Sequence, residues 1–364
     1  MEGSSRIGRI QAALESEGLD AAYIAHLPNV RYLCGFTGSW GCLVVGHSGA
    51  RFLTDGRYRA QAAEEVQGAE VEVYGLPDQL DPALQRAFFD LSASGVPSAT
   101  TVGFESAYLT VAALDRLRGM SSIELRPTTQ LVERLRVVKE PAELDRIREA
   151  ARMADEGLAH VLERVTEGVS ERELALELEF FMRRQGADDV SFDPIVAAAE
   201  RSALPHAHPS DRQVEKGRYL LFDLGCIHEG YCSDMTRTVM VGDPDERHRE
   251  IYDLVARAQQ AGLDAVRPGR PAAEVDRAAR QVIEEAGLGD AFGHGLGHGV
   301  GLEIHEAPTL RSTSREVLEV GQVITIEPGV YLPGWGGVRI EDLVVVTSER
   351  AEVLSQSTKA LQVL

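Results

Sequence analysis

Acidic residues in a hairpin-like segment offer the first sign of chemistry. In RYLLFDLGCIHEGYCSDMTRTVMV, two strand-like runs flank a turn, and each carries an aspartate. A four-residue loop ending at Gly230 would place Asp223 directly opposite Asp234. A two-residue loop at Glu229 and Gly230 would make the two aspartates diagonal neighbours on one face. Either loop brings two carboxylates together, and because like charges at that spacing destabilise a sheet, we expect a cation between them.

A second hairpin-like segment and a histidine-rich segment extend this pattern. VITIEPGVYLPGWGGVRIEDLVVV carries Glu327 and Glu341 among apolar neighbours, where an unpaired carboxylate is costly. The segment AFGHGLGHGVGLEIHE carries His294, His298 and His305. Its alternating glycines disfavour a helix, so we predict an extended segment whose backbone approaches the site closely.

Four carboxylates and one imidazole form a hard, oxygen-rich ligand set. Such a set favours manganese or a similar divalent ion over a thiolate-type zinc site. Five ligands exceed what one structural zinc needs, and shared carboxylates can bridge two ions about 3.5 to 4 Å apart. The residues therefore predict a dinuclear hydrolytic centre, with manganese first and cobalt or zinc as alternatives.

The elements that position these residues fall into two domains. In the first third, strand-like runs such as AAYIAH, CLVVG and TVGFE alternate with helical patterns, which is typical of an α/β domain. Pro127 breaks the strand pattern after IELR, and a helix-rich, charged stretch begins between Pro127 and Pro141. We therefore predict an N-terminal α/β domain over residues 1–130 and an α+β domain over residues 131–364.

The second domain contains a weak internal repeat. An offset of 101 residues aligns Gly168 with Gly269 and Gly186 with Gly287. In each copy a glycine-containing turn precedes a helical pattern that ends at glycine, and a hairpin-like pair of strands follows. We predict two related halves, each contributing one acidic hairpin to the site.

Composition excludes several other classes of protein. Hydrophobic residues make up 44% and charged residues 26% of 364 residues, which is typical of a globular chain. A formal charge of −20 disfavours nucleic acid and anionic membranes as partners. The four cysteines form no CxxC pair, and no long apolar run is present, so we expect a reduced, cytoplasmic protein.

Read in order, these motifs resemble a known family. FDLG, SDMTRT, HGLGHGVGLEIHE, TIEPGVY and GVRIED are similar to the motifs of the pita-bread metallopeptidases, in particular the aminopeptidase P and prolidase group. NVRYLCGFTGSWG and FLTDGRY resemble the creatinase-type N-terminal domain of these enzymes. The resemblance implies a pita-bread catalytic domain with pseudo-two-fold symmetry after an N-terminal α/β domain. It also implies a homodimer, in which Trp40, Asp55, Arg57 and Tyr58 would reach a neighbouring subunit's pocket.

The resemblance assigns roles to the metal-binding and catalytic candidates. It implies that Asp223 binds one metal ion, that Asp234 and Glu341 bridge both ions, and that His298 and Glu327 complete the other. The catalytic candidates are three histidines and the carboxylate that would shuttle a proton to the leaving nitrogen: His206, His294, His305 and Glu327. His206 and His305 would stabilise the tetrahedral intermediate.

Substrate-binding candidates decide between two activities. Tyr331 would close a proline pocket or merely pack, and Arg339 would steady the carboxylates from the strand that also carries Glu341. A dipeptidase must hold the free carboxylate of proline, and Arg311 is the residue that could do so. Because Arg311 lies in a Ser- and Thr-rich stretch, a solvated loop arginine is the favoured interpretation. The sequence therefore predicts faster cleavage of tripeptides than of dipeptides.

The resulting first hypothesis is an Xaa-Pro aminopeptidase that acts on peptides with proline at the second position. The alternative is an Xaa-Pro dipeptidase. A methionine aminopeptidase is disfavoured by the long N-terminal domain. A non-catalytic pita-bread binding protein or a metal-free creatine hydrolase is disfavoured because all five ligand residues are present.

Overall fold

The computed structural model describes residues 5–91 and 100–364. The chain divides into two compact units, the first ending at Arg136 and the second beginning at Val137. The boundary predicted after residue 130 lies a few residues earlier. Within the described residues, no helix is both long enough and apolar enough to cross a bilayer.

The first unit is an α/β layer built around one six-stranded sheet. Its helices are α1 (Arg6–Glu17), α2 (Leu27–Cys34), α3 (Arg59–Glu65), α4 (Leu80–Leu91), α5 (Val111–Arg118) and α6 (Glu133–Arg136). Its strands are β1 (Ala21–Ile24), β2 (Cys42–Gly46), β3 (Gly49–Asp55), β4 (Glu70–Tyr74), β5 (Thr100–Glu105) and β6 (Ile123–Thr128). The strand order is β4-β3-β2-β1-β5-β6.

Strand directions make this sheet mostly parallel. β1 runs parallel to β5, β5 to β6, and β3 to β4, whereas β2 is antiparallel to both β1 and β3. β6 continues through Pro127, where the sequence had suggested a break. Because β6 is the outer strand of the described sheet, a proline there costs no hydrogen bond on its outer side.

The second unit contains long helices and several small sheets. Its helices are α7 (Pro141–Leu162), α8 (Glu171–Arg184), α9 (Glu246–Ala265) and α10 (Ala272–Glu285). Its first strands are β7 (Asp189–Val190), β8 (Ile195–Ala198), β9 (Arg218–Leu224), β10 (Cys226–His228), β11 (Tyr231–Cys232) and β12 (Met235–Val241). The remaining strands are β13 (Gly297–Gly299), β14 (Glu306–Leu310), β15 (Val323–Ile326), β16 (Gly329–Leu332), β17 (Gly336–Arg339), β18 (Asp342–Val346) and β19 (Ala351–Val353).

The internal repeat is visible in this unit. Helices α8 and α10 have 14 residues each and are offset by 101 residues, as the glycine alignment predicts. All four aligned glycines have positive φ angles, between 76° and 105°, which side-chain-bearing residues rarely adopt. In each half a helix pair packs on its own hairpin: α7 and α8 on β9 and β12, and α9 and α10 on β15 and β18.

Candidate metal and active site

The first hairpin places Asp223 and Asp234 on one face. Glu229 and Gly230 both have positive φ angles and form a two-residue turn between the paired residues His228 and Tyr231. Further along the same register, Asp223 lies opposite Thr236, two residues after Asp234. The aspartates are therefore diagonal neighbours, which is the arrangement expected from a two-residue loop.

The second hairpin places Glu327 and Glu341 opposite each other. Ile326 pairs with Asp342, and Gly329 pairs with Arg339. Both pairs belong to one register, so the intervening Glu327 and Glu341 face each other between the two ladders. A backbone hydrogen bond from Glu341 N to Thr236 O, 3.1 Å long, joins this hairpin to the first.

A glycine-flanked strand presents His298 between the hairpins. β13 pairs with β14 and β15. A Cβ atom at Gly297 would lie 2.1 Å from Thr325 O, and one at Gly299 would lie 2.2 Å from Ala307 O. Only glycine permits such close backbone approach. The extended conformation predicted for the histidine segment is therefore present at His298.

Ligand-type atoms converge where these three strands meet. His298 Nε2 lies 3.5 Å from Asp234 Oδ2 and 3.4 Å from Glu327 Oε1. One ligand atom each from Asp234, His298 and Glu341 lies within 4.8 Å of the others. The four residues form a compact cluster with oxygen and imidazole donors, as a hard divalent ion requires.

His298 has the tautomer that a metal ligand needs. Its Nδ1 lies 3.0 Å from Gly299 O, so Nδ1 carries the proton and donates, and Nε2 keeps its lone pair toward the acids. Burial, followed by the charge of His305, lowers the pKa of His298 to about 4. The imidazole is therefore neutral at pH 7.

The acids of the cluster resist ionisation without a cation. Burial raises the pKa of Asp234 and Glu341 well above the usual carboxyl range, and the neighbouring carboxylates raise it further. Burial also raises the pKa of Glu327 to about 8. A divalent ion would offset both the desolvation and the repulsion.

Asp223 supplies an independent test of whether a metal fits. Its Oδ2 accepts a hydrogen bond from Arg339, whereas its Oδ1 is buried and has no hydrogen-bond partner among the described residues. An orphaned carboxylate oxygen in a buried site is costly. The free oxygen, together with the four neighbouring ligand residues, fits a bound cation.

Arg339 and Tyr331 lie behind this cluster. Arg339 is 3% exposed and donates to Asp223 Oδ2, Thr236 Oγ1 and Tyr331 Oη. Tyr331 Oη also lies 2.9 Å from His294 Nε2. Because the His294 Nδ1 proton is directed at Gly295 O, the tyrosine hydroxyl donates to Nε2.

A cavity of about 460 Å³ opens in front of the cluster. It is lined by all five predicted metal ligands, by Arg339, and by four further predicted residues: His206, His294, His305 and Arg311. Of the residues predicted above for metal binding, catalysis and substrate binding within one chain, all of which the structure describes, Tyr331 alone does not line it. The structure therefore brings these residues together and places Tyr331 one layer behind the surface.

The histidines of the cavity differ in what they can do. His206 and His305 are exposed toward solvent, whereas both ring nitrogens of His294 are engaged. Burial, followed by the cation of Arg339, lowers the pKa of His294 to about 4. Burial and His206 also lower the pKa of His305. Of the three predicted catalytic histidines, His206 and His305 are thus the two that can contact a ligand through nitrogen.

A buried acid–arginine pair holds the loop of His294. Asp276 accepts from Arg280 through its Nε and Nη2 atoms, and from Leu296 N at 3.1 Å. Arg280 in turn donates to Phe292 O at 2.9 Å and to His294 O at 2.7 Å. We call Asp276 and Arg280 the second clasp.

A similar pair in the other half holds the loop of His206. Glu171 is fully buried and accepts from Arg201 Nε, Ala198 N and Ser210 N. Arg201 donates to His208 O at 2.6 Å. We call Glu171 and Arg201 the first clasp.

Sequence reasoning missed both clasps. Glu171 and Asp276 each lie on the buried stripe of an amphipathic helix, together with Leu174 and Leu178 in α8 and with Val275 and Ala279 in α10. A charged residue on an apolar stripe was the available signal, because an acid there needs a buried partner.

Residues 145–348 match the model of metallopeptidase family M24, and residues 6–138 match that of the creatinase/prolidase N-terminal domain. The chain is 35% identical over 361 residues to an Xaa-Pro dipeptidase of Pyrococcus horikoshii, covering 98% of this chain and 99% of that protein.

Solved structures give the same result. The chain resembles an Xaa-Pro dipeptidase from Bacillus anthracis with a TM-score of 0.93 and 41% identity, covering 99% of each chain. An X-Pro aminopeptidase from Thermotoga maritima gives a TM-score of 0.89 at 32% identity, covering 97% of this chain and all of that one. The predicted two-domain fold and the resemblance to pita-bread enzymes are confirmed. This chain belongs to metallopeptidase family M24, carries a creatinase/prolidase N-terminal domain, and is a metallo-exopeptidase.

Proposed function

We propose that this enzyme is an Xaa-Pro dipeptidase, which hydrolyses dipeptides with proline at the carboxyl end. Relatives at 35–41% identity that span almost the whole chain are named Xaa-Pro dipeptidases. They favour the alternative over the aminopeptidase that the sequence put first. An X-Pro aminopeptidase is the second candidate, since a relative of that name is 32% identical.

The position of Arg311 in the cavity is the observation that favours a dipeptidase over an aminopeptidase. Its side chain is exposed and lines the same cavity as the acidic cluster. A free dipeptide ends in a carboxylate, and a guanidinium can bind a carboxylate through two parallel hydrogen bonds. Because Arg311 lines the cavity, its position supports a role in substrate binding. The sequence had favoured a solvated loop arginine without such a role.

We also propose that the enzyme uses two divalent ions, with manganese first and cobalt or zinc as alternatives. The residues that would hold them are Asp223, Asp234, His298, Glu327 and Glu341. Bound divalent ions would polarise the scissile carbonyl and supply a nucleophile from water at neutral pH. The donor set supports this assignment, since it contains four carboxylates and one neutral imidazole.

The chain's own residues would do the remaining work. His206 and His305 would donate hydrogen bonds to the carbonyl oxygen as it gains charge. Glu327 would carry a proton to the proline nitrogen as the peptide bond breaks. His294, with both ring nitrogens engaged, would present the face or edge of its ring and pack against the substrate.

Substrate-length preference tests the proposal. We expect Ala-Pro to be cleaved with higher kcat/KM than Ala-Pro-Ala. Arg311→Ala should lower kcat/KM for the dipeptide by about a hundredfold, as expected for the loss of a bidentate charged contact. For the tripeptide the change should stay within about threefold.

A neighbouring arginine provides the control. Arg315 is exposed in the same loop, and it is not one of the described residues that line the cavity. Arg315→Ala should therefore leave both substrates unaffected. A tripeptide preference in the unmodified enzyme, or equal losses on both substrates in Arg311→Ala, would favour the X-Pro aminopeptidase.

Homodimer formation and cytoplasmic location remain predictions. The first comes from the family resemblance, and the second comes from cysteine content and the absence of a long apolar run in the sequence. Light scattering of the purified enzyme would test the dimer, and fractionation of source cells would test the location.

A further inference from the structure

The N-terminal unit contains a cavity of its own. Its volume is about 300 Å³, and all of its lining residues belong to the first unit. The lining includes Ala25 and Leu27, which follow β1, and Tyr108 to Thr110, which follow β5. Leu53 and Tyr74, near the carboxyl ends of β3 and β4, complete the floor. The cavity therefore lies at the carboxyl edge of the parallel strands.

The order of the strands places this cavity where ligands commonly bind in such sheets. From β1 the chain adds β2, β3 and β4 on one side, and then crosses to add β5 and β6 on the other. The order of the strands thus reverses between β1 and β5. In open α/β sheets, ligands bind in the crevice outside the carboxyl ends of the strands at such a reversal.

The lining has a defined chemical character. Tyr23, Trp40, Tyr74 and Tyr108 contribute aromatic rings, and Arg116 contributes a guanidinium. Of the residues that the structure describes, none with a carboxylate lines this cavity. In a chain with a formal charge of −20, an acid-free cavity with an arginine favours an anion.

Contacts around the cavity hold the rings but leave the arginine available. Trp40 Nε1 donates to Tyr74 Oη at 2.6 Å, and the ring of Tyr108 stacks on His26 at 3.6 Å. Arg116 Nε is 3.9 Å from Asp81 Oδ1, and the two side chains are 40% and 46% exposed. The Asp81 side chain is partly exposed, but its Oδ1 atom is buried and has no hydrogen-bond partner among the described residues. Removing Arg116 from Asp81 would therefore be costly. A ligand carboxylate would instead bind guanidinium nitrogens Nη1 and Nη2 while Nε stays beside Asp81.

We propose that this cavity binds a small molecule that joins an apolar ring to a carboxylate. The ring would lie among Trp40, Tyr74 and Tyr108, and the carboxylate would bind Arg116. The volume lies at the lower end of the range for small-molecule sites and fits a single-ring compound. The site does not depend on the proposed substrate, and it gives Trp40 a role other than the one at a neighbouring subunit's pocket that the family resemblance implies.

Tryptophan fluorescence of the full-length, metal-loaded enzyme tests the proposal. The chain has two tryptophans, so Trp335→Phe leaves Trp40 as the only reporter. Phenylacetate is the probe, and phenylacetamide is its uncharged control. We expect a saturable change with phenylacetate at a Kd of about 1 mM or tighter, and binding of phenylacetamide that is at least about tenfold weaker.

Arginine variants identify the site. Arg116→Gln should weaken phenylacetate binding by about tenfold or more, whereas Arg116→Lys should keep most of it. Arg311→Ala should have no effect, because Arg311 lines the other cavity. Circular dichroism and mass measurements establish that each variant is folded.

Several results would overturn the proposal. The absence of a saturable change, or a change that Arg116→Gln leaves intact, would do so. Loss of binding in Arg311→Ala alone would assign the probe to the peptidase cavity. A response that appears only when dilution dissociates an oligomer would mean that a second copy of the chain covers this cavity.

Discussion

The second clasp gives a prediction whose size follows from its contacts. In Arg280→Met, two charged hydrogen bonds to the carbonyls of Phe292 and His294 are lost, and Asp276 is left buried without its cation. Each charged bond contributes about 1.5–3 kcal/mol. The Arg280 side chain is 21% exposed, so water replaces part of the loss. We expect the free energy of unfolding to fall by about 2–4 kcal/mol.

Activity should fall through the loop rather than through the metal. Leu296, bonded to Asp276 through its N–H, accepts the backbone N–H of Glu327 at 2.9 Å. Loosening the clasp therefore shifts His294, whereas Glu327 is also held by the paired residues on either side of it, Ile326 with Asp342 and Gly329 with Arg339. We expect kcat/KM to fall by about ten- to a hundredfold, since displacements near 1 Å can cost that much. Metal content should stay close to that of the unmodified enzyme.

Urea unfolding, metal analysis and steady-state kinetics measure these effects. Arg277→Met is the matched control, because Arg277 is exposed on the same helix. Arg280→Lys keeps the charge but not the planar fork, so it should recover stability better than activity. If Arg280→Met matches Arg277→Met within about 0.5 kcal/mol and in kcat/KM, the clasp does not hold this loop.

The remaining predictions concern the metal cluster. Removing metal with a chelator should abolish activity and lower the melting temperature, because ion binding stabilises the native state; full activity after verified metal loss would refute the mechanism. Asp234→Asn or Glu341→Gln should lose more metal than Asp223→Asn, as metal analysis would report, because the family resemblance implies that Asp234 and Glu341 would each serve both ions. His305→Ala should keep its metal while kcat falls by about a hundredfold; loss of metal instead would make His305 a ligand. In the metal-free enzyme the pKa of Glu327, about 8 against an ordinary 4.5, means that the native state holds a proton that the unfolded chain has lost. Stability should therefore fall between about pH 7 and 8.5, by about 1 kcal/mol from Glu327 alone; urea unfolding that shows a flat or rising stability would contradict this.

The metal cluster was accessible from sequence because strand register is a local property. A two-residue turn at Glu229 and Gly230 fixes which residues share a face, and the relation of Asp223 to Asp234 follows by counting. In the same way, the glycines on either side of His298 indicate that its strand lies very close to the neighbouring backbone. Neither inference needs knowledge of distant parts of the chain.

Contacts between segments that are distant in the sequence could not be predicted by counting residues along paired strands. The orientation of Arg311 depends on how its loop packs beside Gly295, whose Cβ would lie 3.2 Å from that of Arg311. Sequence composition around Arg311 suggested a solvated residue. The continuation of β6 through Pro127 was missed for a similar reason. A strand tolerates proline when it lies at the edge of a sheet, and the sequence does not show that β6 has this position.

The internal repeat explains why the metal ligands and the clasps differ in this respect. At the 101-residue offset, Glu171 of the first clasp corresponds to Ala272, and Asp276 of the second corresponds to Ala175. The helix pair is shared by both halves, but the acid sits at a different turn of the helix in each half. In the first half its arginine lies on the loop, and in the second it lies on the helix itself. The register of the strands is thus repeated in the two halves and determines where the carboxylates meet. Each histidine loop, by contrast, is held by a differently placed acid–arginine pair.

The two clasps should therefore respond independently to substitution. Glu171→Gln should impair His206 and Arg280→Met should impair His294, and the losses in kcat/KM should multiply in the double variant within about twofold. A double variant no worse than the poorer single one would show that both clasps act on one shared element.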